Sequence, residues 1–114
     1  MKLRTQFVDN ALVASIIDND NLLTNDKEAL SERYLLLLEK IVGDNGGWEK
    51  INELEVSFAG GSFSSVRGIT VIINALSSLH SISVFVDDGK KVSPVSIPIE
   101  PIYHALPNIT SKPR

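Results

Sequence analysis

The residues best placed for chemistry lie in one stretch, Phe58-Ala59-Gly60-Gly61-Ser62-Phe63-Ser64-Ser65-Val66-Arg67-Gly68-Ile69-Thr70. It follows an alternating run, Leu54-Glu55-Val56-Ser57-Phe58, that reads as a strand. Three chemistries suit such a stretch. Glycines and a serine ahead of a helix bind an anion through backbone N–H groups. A serine with a histidine base acts as a nucleophile. The same residues also make a plain corner, in which glycine permits the turn and serine caps the helix.

The first two chemistries lack their other parts. No lysine stands at the spacing of a nucleotide-binding loop. The only histidines are His80 and His104. His80 falls near the far end of the helix that Ser62 would start, about 25 Å away at helical rise, so it cannot serve as its base. Two histidines without a short spacing make a poor metal site. Asp87-Asp88-Gly89 reads as a turn rather than a Mg²⁺ site. The expectation is a strand-turn-helix corner capped by Ser62 or Ser64, in a protein without catalytic residues, cofactor or metal. Arg67, one turn into the helix, is expected to pair with Glu32 or Glu39 of an earlier helix or with a carboxylate on a partner. Trp48, beside Gly46-Gly47, is expected to pack under a connector.

These residues must be positioned by a small fold. The chain has 114 residues, 43% hydrophobic and 22% charged, with net charge −3. That composition suits one folded domain and shows no basic footprint for direct binding to nucleic acid. The absence of cysteine excludes disulfides and zinc–thiolate sites and fits a cytoplasmic protein. No apolar run reaches the roughly 18 residues of a membrane span, and the first residues lack the apolar centre of a signal peptide.

Leu3–Val8, Ala11–Ile17 and Leu22–Thr24 read as three short strands separated by the turn signals Asp9-Asn10 and Asp18-Asn19-Asp20-Asn21, a meander. Asn25-Asp26 then predicts the cap of a helix running from Glu28 to Val42 and ending at the following glycines. Leu54–Phe58 is a fourth strand, Ser64–Ser81 a second helix, and Ile82–Gly89 a fifth strand with its closing turn. The order is βββαβαβ in residues 1–89. Residues 90–114 hold all five prolines and read as an extended tail or edge strand.

Both helices carry more apolar residues than one sheet can cover. Tyr34 to Leu38 is an unbroken apolar run, and at 100° per residue it surrounds the helix. Val66, Ile69, Val71, Ile72, Ile73, Ala75 and Leu76 repeat the excess in the second helix. An exposed leucine forgoes about 1.5 to 3 kcal/mol of burial, and a patch of such residues marks a partner surface. The other reading is that the helices pack on each other and the tail covers the remainder.

At this point the motifs become specific. Ala59-Gly60-Gly61-Ser62-Phe63-Ser64-Ser65-Val66-Arg67 resembles the Gly-Pro-Gly-Ser-Phe-Thr-Gly-Leu-Arg signature of the TsaB (YeaZ) family. Leu30–Ile41 is similar to that family's first helix, and Glu100–Thr110 to a C-terminal Pro-x-Tyr segment. The resemblance implies the N-terminal domain of the actin-like ATPase and sugar kinase superfamily. The implied sheet is five-stranded and mixed, of order 3-2-1-4-5, with both helices on one face. It implies a truncated, single-domain member. It also implies a non-catalytic subunit in the synthesis of threonylcarbamoyladenosine in tRNA. Such a subunit pairs through its helices with a TsaD-like catalytic subunit, and that pair in turn engages a TsaE-like ATPase; tRNA is met only indirectly. On this basis Glu32, Leu35, Leu38, Glu39, Ser62, Phe63, Val66, Arg67, Ile69, Thr70 and Ile73 are the expected partner interface. The alternatives are a stand-alone homodimer using the same helices and a nucleotide-binding relic of the kinase superfamily. The chain departs from the family at Val8–Leu12, which lacks the Ser/Thr phosphate turn, at Leu30, where the family has histidine, and at Ser65, where it has glycine.

Overall fold

The computed structural model describes residues 1–101. The Tyr103 segment and His104 lie outside the described residues. Strands β1 (Lys2–Val8), β2 (Ala11–Asp18) and β3 (Asn21–Glu28) come first. Helix α1 (Tyr34–Gly43), β4 (Glu53–Ser57), helix α2 (Phe63–His80), β5 (Ser83–Asp87) and β6 (Val92–Val95) follow. The sheet order is β3-β2-β1-β4-β5-β6. β1, β4 and β5 run parallel, and the outer pairings are antiparallel.

The two hairpins are set by their turn chemistry. Asp9 and Asn10 have φ of 52° and 65°, and Asn19 and Asp20 have 51° and 65°. Positive φ at both central residues makes the two-residue turn whose twist matches the strands, and Asn and Asp tolerate it. Register then follows the pleat. Leu3, Thr5 and Phe7 of β1 stand opposite Ile16, Ala14 and Leu12 of β2, and Leu54 and Val56 of β4 continue the same face into Val84 and Val86 of β5. All are buried.

Both helices close over that face. α1 contributes Tyr34, Leu37, Leu38, Ile41 and Val42 to the core, and α2 contributes Val66, Ile69, Ile73 and Leu76. These are the i, i+3, i+4, i+7 positions of one helical stripe. No described helix packs on the opposite sheet face.

Three expectations change. The third strand is eight residues long and ends at Glu28, so Asn25-Asp26 does not cap a helix. Its ladder to β2 outweighs the local capping signal, and an edge strand tolerates the charges of Asp26-Lys27-Glu28. A 3-10 turn at Ser31–Arg33 precedes α1 instead. The Glu28 carboxylate ties this turn down by accepting from Leu30 N at 3.1 Å and Arg33 Nε at 3.2 Å. Second, the sheet has six strands rather than five, because Val92–Val95 pairs with β5. Pro94 is tolerated there because β6 is an edge. Third, the stretch after β6 is not only an extended tail. Ile99 is buried in the core, and the Asn74 side chain of α2 grips its backbone. Asn74 Nδ2 donates to Ile99 O at 3.2 Å, and Ile99 N donates to Asn74 Oδ1 at 2.7 Å.

Candidate partner-binding face

The corner before α2 is a structural device. Gly60 has φ +83°, open to glycine at no steric cost. Gly61 lies against the core: a Cβ there would meet the Phe7 ring at 2.7 Å and Val66 Cγ2 at 2.8 Å. Ser62 is the cap, its Oγ accepting from Ser65 N at 3.2 Å. That oxygen also bonds Ser65 Oγ at 2.9 Å, so the hydroxyl is used within the turn. Asp87-Asp88-Gly89 is likewise a turn. Asp87 Oδ1 accepts from Gly89 N, and Asp88 Oδ1 from Lys90 N and Lys91 N. The backbone N–H groups of Lys90 and Lys91 hold the Asp88 carboxyl below its ordinary value. Among the described residues no cluster of three or more His, Asp or Glu is arranged for a metal ion.

The expected interface divides into two sets. Leu38, Val66, Ile69 and Ile73 are fully buried, and Thr70 nearly so, its hydroxyl bonded to Val66 O at 2.7 Å. These five side chains face the sheet, not a partner, which corrects their assignment to the outer surface. The reason is periodic: the strongest apolar stripe on a helix marks its packed side. Leu35 and Phe63 are about half exposed, and Glu32, Glu39, Ser62 and Arg67 are exposed. Arg67 pairs with neither Glu32 nor Glu39. Glu39 instead accepts from Trp48 Nε1 at 3.1 Å. Trp48 stacks on His80 with ring centroids 4.8 Å apart, so the connector residue ties the end of α2 to α1.

The outer surface has members that the expected interface did not include. Leu36 is 62% exposed, Val71 63% and Leu79 76%. Leu30, ahead of α1, is also exposed. Their signal was present as the apolar residues left over once the i, i+3, i+4 stripe is removed. α2 passes beside the 3-10 turn ahead of α1 at Gly68, where an added Cβ would stand 3.8 Å from Ser31 Cβ. The helices expose Leu35 and Leu36 on α1 and Val71 and Leu79 on α2, with Glu39 and Arg67 also exposed.

Architecture and surface define a mixed α/β domain, one sheet face covered by two helices whose outer sides carry exposed apolar residues. Its fold is similar to that of YeaZ from Pseudomonas aeruginosa, with a TM-score of 0.64 at 14% identity over 76% of this chain and 43% of YeaZ. A second solved structure, described as an uncharacterized protein with similarity to peptidase YEAZ from Pseudomonas aeruginosa, gives 0.63 at 14% identity, covering 76% and 42%. The chain therefore spans less than half the length of these structures. No protein-family model and no curated protein sequence matches it. No described helix is long and apolar enough to cross a membrane.

Proposed function

We propose that this chain is a TsaB-like, non-catalytic subunit that pairs through the outer sides of α1 and α2 with a TsaD-like catalytic subunit in the synthesis of threonylcarbamoyladenosine in tRNA. Its domain then belongs to the actin-like ATPase and sugar kinase superfamily. The observation that carries this reading is the apolar residue set on those outer sides, on a fold similar to YeaZ. Leu36, Val71 and Leu79 are each more than 60% exposed. Burying such side chains supplies association energy, whereas leaving them in water does not. The Gly60-Gly61-Ser62 corner supports the same reading, because its glycines and cap serve the turn and aim α2.

The test is light scattering on a sizing column, with the protein alone and mixed with the TsaD-like protein of the same organism. A new one-to-one complex, lost on Leu36→Glu, is the expected result. A homodimer that ignores the TsaD-like protein assigns the same surface to self-pairing. A monomer in both runs overturns the reading.

A further inference from the structure

The sheet face turned away from the helices carries polar groups that the pairing surface does not use. Strand register sets Glu55 of β4, Arg4 of β1, Ser15 of β2 and Asn25 of β3 in one row across four strands. Neighbouring strands are about 4.8 Å apart, so adjacent side chains in the row can touch one ligand. One step along β1, Lys2 pairs with Ile17, which pairs with Leu22; one step the other way, Gln6 pairs with Val13. With Asp20 at the hairpin end, all of these residues but Glu55 line a groove of about 250 Å³.

Its polar groups are oriented but not consumed. Glu55 is 4% exposed and accepts from Lys2 Nζ and Arg4 Nε, each at 2.9 Å. The carboxylate therefore fixes the guanidinium by its Nε edge. The terminal nitrogens of Arg4 make no hydrogen bond among the described residues. Ser15 is 5% exposed, lines the groove, and its hydroxyl has no partner among the described residues. The side-chain amides of Gln6 and Asn25 likewise have no partner among the described residues. The Ser15 hydroxyl is accessible and bonds whatever occupies the groove that Ser15 lines.

We propose that this groove binds a small monocarboxylate with a short aliphatic body. The planar fork of arginine matches a carboxylate, with Ser15 and Asn25 as further donors. Val13 and Ile17 form an apolar floor and Leu22 an apolar wall for the body of the ligand. Charge sets the valence. Lys2 and Arg4 share the one carboxylate of Glu55, which leaves that cluster one positive charge: a monocarboxylate balances it, and a dianion such as phosphate brings one charge too many. The site is independent of the pairing surface, which lies on the other side of the sheet.

The test is a titration of the ¹⁵N-labelled protein at constant ionic strength with 3-methylbutanoate, acetate and inorganic phosphate. Saturable shifts centred on the Arg4, Ser15 and Asn25 amides are expected. 3-Methylbutanoate should bind at least about fourfold tighter than acetate, the worth of one buried CH₂ group, and phosphate weaker than either. Arg4→Gln and Ser15→Val should each weaken binding at least tenfold. Ser15→Val keeps the Arg4–Glu55 pair and suits a strand, so it remains informative if Arg4→Gln misfolds. Shifts that rise linearly or scatter over the surface overturn the proposal. So does equal binding of all three anions, or wild-type binding by Ser15→Val.

Discussion

Replacing Leu36 by alanine removes a side chain that stands mostly in water, 62% exposed. In the isolated protein little is lost, because surface substitutions away from caps and ion pairs stay within about 0.5 kcal/mol. In a complex that buries α1, the same deletion is costly. Full burial of a leucine is worth about 1.5 to 3 kcal/mol, and the fraction still exposed scales this to about 1 to 2 kcal/mol. That is about 5- to 30-fold in Kd. Ile69→Ala is the control of opposite kind. Ile69 is fully buried against the sheet, and its truncation costs about 2 to 5 kcal/mol of stability through lost burial and a cavity. Calorimetric titration against the TsaD-like protein, beside thermal melts of each variant, separates the two. The expected pattern is weak binding with an unchanged melt for Leu36→Ala and a strongly lowered melt for Ile69→Ala. Unchanged Kd for Leu36→Ala, or a melt lowered as far as that of Ile69→Ala, refutes the division of the helices into inner and outer sides.

Loss of the cap in Ser62→Ala should cost about 1 kcal/mol, read as a lower midpoint in urea with an unchanged slope. Asn74→Ala frees both backbone groups of Ile99, and the Ile99 amide should exchange hydrogen much faster while amides of β1 keep their protection. The Asp88 carboxyl should titrate below its ordinary 3.8, because Lys90 and Lys91 N–H groups donate to its charged form. Its contribution to stability is then complete above pH 3.8 and lost as pH falls through the lower folded value; a carboxyl titration by NMR at or above 3.8 contradicts this.

Alternation and turn residues carried most of the fold into view. Leu3-Arg4-Thr5-Gln6-Phe7 and Leu54-Glu55-Val56 announce strands with one buried face, and Asp9-Asn10 announces a hairpin. The sequence predicts a shorter β3 because Asn25-Asp26-Lys27-Glu28 has the composition of a helix start. Only pairing with β2, a contact between distant residues, keeps it extended. The sixth strand is legible only as one of two readings, extended tail or edge strand, because Pro94 argues against a strand until the position proves to be an edge.

The site was harder to read for a physical reason that also tells how to find it. On α2, Val66, Ile69 and Ile73 draw attention because they repeat at helical spacing, and the same repetition drives them into the core. A surface shared with a partner must be apolar yet stay outside that stripe. Val71 and Leu79 on α2, and Leu35 and Leu36 on α1, are the large apolar residues that the stripe leaves behind. Glu55 shows the complementary limit on the sheet. As the polar member of an alternating strand it reads as solvent-facing, but parallel pairing with β1 brings Lys2 and Arg4 over it and leaves it 4% exposed. One charge-bearing residue on β4 and two on β1 become a single ion cluster only through register. The polar row of the open face is therefore a property of the sheet, and no single strand in the sequence contains it.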